Sequence, residues 1–285
     1  MSSVEEAVYM TNVRNILITG ATRGLGKAFS ERMASLGHRI ILSDISTKAA
    51  NVFDESESGS QLVDQLRQMT DKVELLEADL TDHTASSAML NEAWRILGHI
   101  DVIIANAGGD IVSDPKGYAD AAGTKPPVNN SQMPPEHHEE VYQRNYLTCW
   151  NTVTPLIPKM AERGFGKIIT VSSVNASFGM PTETAYSAAK AAVVQLTRSI
   201  ASERRDDGIS ANCLMLGPVK TGRFQATLKN RSKHDLEAFN ATGRLTRIAE
   251  PDDAADVMEF LVGQKSDYIS GQVIRVDGGK FPQPV

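Results

Sequence analysis

Cysteine is scarce in this chain of 285 residues, which has neither a basic excess nor a long apolar run. The two cysteines, Cys149 and Cys213, have apolar neighbours, so we expect buried free thiols and neither a disulfide framework nor a cysteine metal site. Lys and Arg total 29 against 35 for Asp and Glu, a formal charge of −6, which argues against nucleic acid as a partner. No run reaches the roughly 18 apolar residues of a membrane span, and the N-terminus lacks a signal-peptide pattern. We therefore expect no membrane contact and a cytoplasmic location.

Residues 137–140, His-His-Glu-Glu, come nearest to a metal-binding pattern. They lie near a predicted helix start, where adjacent side chains face different directions. The sequence therefore predicts no metal site.

Short β-rich runs alternate with longer helical patterns along the chain, and 41% apolar against 22% charged residues is a globular balance. Predicted strands occupy residues 14–19, 39–43, 72–78, 101–105, 167–172, 209–216 and 272–276. Predicted helices occupy residues 25–36, 61–69, 83–97, 136–163, 185–205 and 251–262. The continuous apolar runs at 40–42 and 102–104 are typical of strands covered on both faces. The alternation predicts βαβ units and a parallel sheet.

A glycine-rich turn directly follows the first predicted strand. It reads Thr-Gly-Ala-Thr-Arg-Gly-Leu-Gly over residues 19–26. Glycine permits a tight turn and lets backbone N–H groups approach a pyrophosphate, and the N-terminus of the next helix adds partial positive charge. The position of this turn between a strand and a helix predicts nucleotide binding.

The spacing Thr-Gly-x3-Gly-x-Gly resembles the short-chain dehydrogenase/reductase family, and further motifs follow in the family's order over residues 13–280. They are Asp79 and Leu80 after the third strand, Asn106, Ala107 and Gly108 after the fourth, Asn145 in the next helix, Ser172 and Ser173 ending the fifth strand, Tyr186 and Lys190 in a Tyr-x3-Lys pair, Asn212 and Gly217 flanking the end of the sixth strand, and residues 271–279 near the C-terminus. The resemblance implies a Rossmann-type, doubly wound parallel α/β sheet of about seven strands with helices on both faces. It also implies a nicotinamide-dependent enzyme acting on CH–OH groups.

Tyr186 and Lys190 are spaced so that one helix face carries both side chains, about 5–6 Å apart at Cβ. The pKa of a free tyrosine is near 10, and a neighbouring ammonium group favours the phenolate and lowers that pKa. The resemblance assigns further roles. Tyr186 exchanges a proton with the substrate oxygen, and Lys190 lowers the Tyr186 pKa and binds the nicotinamide ribose. Ser173 holds the substrate oxygen, and Asn145 supports a water that links Lys190 to solvent.

The cofactor implied by the resemblance is NAD or NADP, bound at the carboxyl ends of the strands. The expected cofactor-binding residues are Gly20, Thr22, Arg23, Gly24, Leu25, Gly26, Asp44, Ile45, Asp79, Leu80, Asn106, Ala107, Gly108, Tyr186, Lys190, Gly217, Val219 and Thr221. Asp44 favours NAD, because a carboxylate after the second strand can accept hydrogen bonds from ribose hydroxyls and repels a 2′-phosphate. Arg23, just before the second motif glycine, resembles NADP-preferring members, so NADP use stays open.

Three segments depart from the family pattern or vary within it. Residues 109–135 form a proline-rich insertion at the carboxyl end of the fourth strand, which either covers the active-site mouth, joins an oligomer contact or is a plain surface insertion. Residues 221–246 resemble the family's variable substrate lid. Leu216 takes the place of a common proline.

We expect residues 1–12 to be a flexible tail and residues 13–285 to be one catalytic domain.

The predicted function is hydride transfer between NAD(H) and a small or medium secondary alcohol or ketone. The candidate substrate-binding residues are Asp110, Ser173, Asn175, Phe178, Tyr186 and Phe224. One alternative is an NADPH-dependent 3-oxoacyl-thioester (acyl-carrier-protein) reductase, and another is a non-catalytic NAD-sensing protein. The resemblance further implies a homo-oligomer, a tetramer or a dimer.

Overall fold

Seven parallel strands form one sheet in the described part of the chain, which the computed structural model gives as residues 13–51, 58–113, 125–226, 228 and 233–282. The strands are β1 (Asn15–Thr19), β2 (Arg39–Asp44), β3 (Val73–Glu77), β4 (Val102–Ala105), β5 (Gly166–Ser173), β6 (Ile209–Leu216) and β7 (Val273–Val276). The predicted parallel α/β sheet is confirmed, and each predicted strand agrees with an observed one to within one residue at either end. The predicted tail, residues 1–12, lies outside the described residues.

Alternating side chains of the central strands enter two different cores. Ile16 and Ile18 of β1 are fully buried in a cluster on one face of the sheet, whereas Leu17 is buried in a cluster on the other face. Burial of each such side chain contributes about 1.5–3 kcal/mol. The two-sided burial explains why the strands are continuous apolar runs, and it confirms the doubly wound arrangement.

Helices cover both faces of the sheet. They are α1 (Gly24–Ser35), α2 (Gly59–Leu66), α3 (His83–Leu97), α4 (Pro135–Tyr142), α5 (Thr148–Val153), α6 (Ile157–Arg163), α7 (Thr184–Glu203), α8 (Gly222–Ala226), α9 (Lys233–Asn240) and α10 (Pro251–Val262). The short helices α8 and α9 occupy the segment that resembles a substrate lid. Residues 227 and 229–232 of that segment, and residues 114–124 of the insertion, lie outside the described part.

The single helix predicted over residues 136–163 is wrong. A π-helical turn at Gln143–Leu147 separates α4 from α5, and a 3₁₀ turn at Thr154–Leu156 separates α5 from α6. Pro155 and Pro158 lack the N–H that an uninterrupted helix requires. The π-helical turn carries Asn145, and π-bulges are frequent at functional sites.

The strand order reverses at β1, and this reversal positions the site. β1 pairs with β2 on one side and with β4 on the other. The chain therefore leaves these neighbouring strands toward opposite faces of the sheet, which opens a crevice at their carboxyl ends.

Candidate active site

The glycine-rich turn packs too tightly for side chains. Gly20 has a φ of +59° and Gly24 a φ of +52°, and a Cβ added at Gly26 would lie 1.8 Å from the carbonyl oxygen of Gly20. Only glycine fits both constraints without strain. The turn consequently presents bare backbone at the N-terminus of α1, which is suited to a phosphate group.

Asp44 ends β2 and is held by the same turn. Its Oδ2 accepts hydrogen bonds from the Thr22 N–H at 3.1 Å and the Thr22 hydroxyl at 2.7 Å, and its Oδ1 accepts one from the Ile45 N–H at 2.9 Å. Thr22 is fully buried and does not line the cavity, although the sequence predicted cofactor contact for it. It lies behind Asp44 and orients that carboxylate. Arg23 lines the cavity and donates a hydrogen bond to the Ala49 carbonyl at 3.4 Å.

Asn106 joins the end of β4 to the glycine-rich turn. Its side-chain amide donates to the carbonyls of Thr19 at 3.1 Å and Gly20 at 3.0 Å, and its N–H donates to the Thr19 hydroxyl at 3.1 Å. These hydrogen bonds fix the carboxyl ends of β1 and β4, which are neighbours in the sheet, relative to each other.

Ser173, Tyr186 and Lys190 meet where β5 ends and α7 begins. The Lys190 ammonium group lies 5.8 Å from the centre of the Tyr186 ring and donates to the Val171 carbonyl at 3.0 Å. The Ser173 hydroxyl accepts a hydrogen bond from the Asn175 N–H at 3.3 Å. The structure therefore brings together three of the four predicted catalytic side chains at one wall of the cavity.

Burial, rather than the neighbouring lysine, dominates the acid–base properties of Tyr186. Desolvation raises the Tyr186 pKa above its ordinary value, and the nearby carboxylates of Glu183 and Asp110 raise it further, while hydrogen bonding with Ser173 lowers it. Burial also lowers the pKa of Lys190. This direction is opposite to the one expected from the Tyr-x3-Lys spacing alone. In the free protein Tyr186 therefore holds its proton.

Asn145, the fourth predicted catalytic residue, lies behind the cavity wall and is fully buried. Its side-chain amide donates to the carbonyls of Gly109 at 2.8 Å and Val141 at 2.7 Å, and its Oδ1 accepts from the Gly109 N–H at 2.9 Å. A Cβ at Gly108 would approach Asn145 Oδ1 to 2.7 Å and Lys190 Nζ to 3.3 Å. Asn145 thus holds Gly109 in place through hydrogen bonds, and both Asn145 and Lys190 pack against Gly108.

A single cavity of about 980 Å³ contains both the turn and the Tyr186 wall. All predicted cofactor-binding residues except Thr22 line it, as do all six candidate substrate-binding residues. Its wall also includes residues that the sequence did not single out. Arg144, Glu183, Lys280 and Phe281 are four of them, and others lie in the insertion over residues 109–135 (Lys125, Pro126 and Asn129) or in the lid segment (Arg223). The position of Glu183 just before α7 is a signal that could have identified it. The contact of Lys125 with the cavity depends on how the insertion folds, which the sequence does not indicate.

Aromatic side chains line part of this cavity. Phe178 stacks on Phe281 with ring centres 4.8 Å apart, and Phe224, which is buried, stacks on Phe239 at 6.2 Å. Phe224 belongs to α8, so the segment that resembles a substrate lid contributes an aromatic ring to the cavity wall.

Neither metal sites nor membrane spans are found in the described ranges. No group of three His, Cys, Asp or Glu side chains there could hold a metal ion, and no helix there is long and apolar enough to cross a membrane. Cys149 and Cys213 are both buried and free.

Comparison with known proteins places the chain in a family. The family profile described as short chain dehydrogenase matches residues 14–232. Cyclohexanol dehydrogenase of Rhodococcus sp. (strain TK6) is 30% identical over 269 residues, covering 92% of this chain and 94% of the relative. L-2,3-butanediol dehydrogenase of Corynebacterium glutamicum is 28% identical over 271 residues, covering 92% and 96%.

A solved structure shares the fold. It is 7α-hydroxysteroid dehydrogenase complexed with NADH and 7-oxo glycochenodeoxycholic acid, with a TM-score of 0.80, 24% identity and 96% of both chains covered. The family fold implies a nicotinamide cofactor, NAD or NADP, and a small-molecule substrate. The profile match and the dehydrogenase relatives together show that the chain is an oxidoreductase acting on CH–OH groups and belongs to the short-chain dehydrogenase/reductase family.

Proposed function

We propose that the chain transfers hydride between NAD(H) and a secondary alcohol or ketone, with Tyr186 as the acid/base. The observation that carries this proposal is the convergence of Ser173, Tyr186 and Lys190 on the cavity that also contains the glycine-rich turn. A binding protein without catalysis has no need of a serine, a tyrosine and a lysine placed together next to a nucleotide site.

The residues present fit a dinucleotide cofactor. The bare backbone of Gly20, Gly24 and Gly26 would hold the pyrophosphate, Asp44 the adenosine ribose, and Val219 with Thr221 the nicotinamide end. When bound, the nicotinamide supplies or accepts the hydride.

The chain's own residues handle the proton. Tyr186, protonated in the free enzyme, would donate from Oη to the carbonyl oxygen in reduction and take the proton back in oxidation. The Ser173 hydroxyl would hold the same oxygen. Lys190, anchored on the Val171 carbonyl, would hydrogen-bond the nicotinamide ribose.

NAD is the preferred cofactor in this proposal, because Thr22 holds the Asp44 carboxylate at the end of β2, where it would repel the 2′-phosphate of NADP. Two unit charges 4 Å apart interact by about 4 kcal/mol at an effective dielectric constant of 20. Even a third of that repulsion against a 2′-phosphate corresponds to about tenfold in affinity. Arg23 in the same wall favours NADP and keeps some use of it open.

An aromatic row supports the homo-oligomer that the family resemblance implies. Tyr142 of α4, Tyr146 of the π-helical turn and Trp150 of α5 follow one another along the chain, with ring centres 5.2 and 6.3 Å apart, and Trp150 is 41% exposed. We expect a dimer or tetramer burying this row, which sedimentation analysis tests directly, with Trp150→Glu as the disrupting variant.

Titration of the purified protein with NADH and NADPH, followed by turnover assays in both directions, tests the proposed function. We expect tighter NADH binding and oxidation of secondary alcohols. Tighter NADPH binding with acyl-thioester reduction would favour the 3-oxoacyl-thioester reductase. Tight NADH binding without turnover of any alcohol, ketone or thioester would favour the NAD-sensing protein.

A further inference from the structure

The insertion places Lys125 between two carboxylates on the cavity wall. Its ammonium group donates to Asp110 Oδ2 at 2.9 Å and to Glu183 Oε1. Asp110 follows β4 and Glu183 directly precedes α7, so Lys125 joins two elements that are far apart in the sequence. All three residues line the cavity that contains Tyr186, and the Lys125 side chain is 38% exposed.

Glu183 is held by more than this ion pair. Its backbone lies in the left-handed region at φ 64° and ψ 35°, alone among the non-glycine residues of the described part. Its N–H donates to the Asn129 carbonyl at 2.6 Å, and its Oε2 accepts from the Asn175 side chain at 2.6 Å. Such backbone strain persists where surrounding contacts hold it, and it clusters at functional sites. The Lys125 cluster, defined as Asp110, Lys125, Asn129, Asn175 and Glu183, thus fixes a carboxylate three residues before Tyr186.

The Lys125 cluster has hydrogen-bonding capacity that its members do not use. An ammonium group has three donors, and one of those of Lys125 has no partner among the described residues. Asp110 Oδ1 and Asn129 Oδ1 are buried oxygens that likewise lack a partner within the described ranges. Because native proteins leave few buried polar atoms unpaired, the two buried oxygens beside the Lys125 ammonium group point to a ligand.

Aromatic and apolar side chains line another part of the same cavity. Phe178, Phe224 and Phe281 supply rings, and Met180 adds a flexible thioether. A bound substrate therefore meets polar groups of the Lys125 cluster and apolar surface elsewhere.

We propose, on the basis of the function proposed above, that the substrate carries a second hydroxyl group near the one that is oxidised, and that Lys125 and Glu183 bind it. A hydroxyl oxygen accepts from the Lys125 N–H that has no partner among the described residues, while its hydrogen is donated to the carboxylate pair of Glu183 and Asp110, in which Asp110 Oδ1 is unpaired within those residues. A cationic ammonium substituent cannot accept from Lys125, and an anionic substituent would face the carboxylates of Asp110 and Glu183. A neutral diol or polyol satisfies both conditions.

Matched pairs of alcohols test this inference on the full-length enzyme. The pairs are 2-butanol with 2,3-butanediol and cyclohexanol with cyclohexane-1,2-diol, and the readout is the ratio of kcat/KM for the diol to that for the monohydroxy alcohol. We expect this ratio to exceed about ten, because a site built to bind a hydroxyl discriminates strongly against an analogue without it. Lys125→Met should bring the ratio near one, whereas Lys125→Arg, which keeps the charge and donors, should preserve most of it.

Two further variants complete the test. Glu183→Gln removes the charge but keeps the shape, and it should lower the same ratio. Lys159→Met is the control, because Lys159 lies outside the cavity and should leave the ratio unchanged.

The outcomes separate this inference from the proposed function. A wild-type ratio near one with clear oxidation of the monohydroxy alcohols overturns the second-hydroxyl inference and leaves the proposed function standing. An equal loss for both members of a pair in Lys125→Met also overturns it, since Lys125 would then act on Tyr186 rather than on the substrate. Absence of turnover with all four alcohols and their ketones removes both.

Discussion

Thr22 donates two hydrogen bonds to one oxygen of the Asp44 carboxylate, at 3.1 Å from its N–H and 2.7 Å from its hydroxyl. This pairing fixes the carboxylate at the end of β2, where it lines the cavity. Charge-assisted hydrogen bonds of this kind are roughly twice as strong as neutral ones. The orientation of Asp44 therefore depends on a residue that does not reach the cavity itself.

Replacing Asp44 should change the cofactor preference. Asp44→Ala removes the acceptor for ribose hydroxyls and the repulsion of a 2′-phosphate, so the ratio of NADPH to NADH dissociation constants should fall at least about tenfold. Thr22→Val, which removes only the hydroxyl donor, should give a smaller shift in the same direction. Fluorescence titrations with both cofactors measure this. An unchanged ratio in Asp44→Ala would show that another residue sets the preference.

Tyr186→Phe separates chemistry from binding. The substitution keeps the ring but removes the hydroxyl proton, so turnover should fall by about 10²–10⁴-fold, the range of general acid–base catalysis. The NADH dissociation constant should stay within about twofold, because the glycine-rich turn and Asp44 are untouched. Tyr268→Phe is the matched control, because Tyr268 is fully exposed and does not line the cavity, and it should leave turnover unchanged. Retained activity in Tyr186→Phe would contradict the assigned role.

The sequence predicted those parts of the site that depend on strand ends. Apolar runs located the strands, and because parallel strands end at one edge of the sheet, Asp44, Asn106 and Ser173 were expected to converge. The sequence did not predict the break at Gln143–Leu147, because its side-chain pattern stays helical through the π-helical turn.

Other parts of the site depend on contacts between distant residues. The Lys125–Glu183 ion pair joins positions with no shared local pattern, and Lys125 lies in a segment without periodicity. The direction of the Tyr186 pKa shift could likewise not be predicted from the spacing of Tyr186 and Lys190, since burial and the carboxylates of Asp110 and Glu183 dominate it. Both features arise only when the insertion packs against α7.

The glycine-rich turn offers a stability test with an internal control. A Cβ at position 26 would lie 1.8 Å from the Gly20 carbonyl oxygen, so Gly26→Ala must displace backbone and should destabilise the protein by about 2 kcal/mol or more. Gly179 has open space around it and no positive φ, so Gly179→Ala should be neutral or stabilising by up to about 1 kcal/mol. Urea unfolding compares the two. Equal effects would contradict the close approach at Gly26.

The buried thiol of Cys149 should make the protein lose stability in alkaline solution. Burial raises the Cys149 pKa from 9.0 to about 12, so the folded state holds the thiol proton more tightly than the unfolded state. Its stabilising contribution is therefore complete below pH 9 and is lost as the pH rises from 9 toward 12. Within that window the Cys149 thiol alone should remove about 1.4 kcal/mol per pH unit from the free energy of unfolding.

Cys149→Ala tests this through the slope of stability against pH rather than through stability itself. The smaller side chain costs a constant amount at every pH, because the cavity it leaves does not titrate. Urea unfolding at pH 7 to 8.5 should give parallel curves for wild type and variant, and above pH 9 the variant curve should fall less steeply, by about 1.4 kcal/mol per pH unit. Curves that stay parallel up to pH 10.5 would mean that the Cys149 thiol is not protected from ionisation in the folded protein.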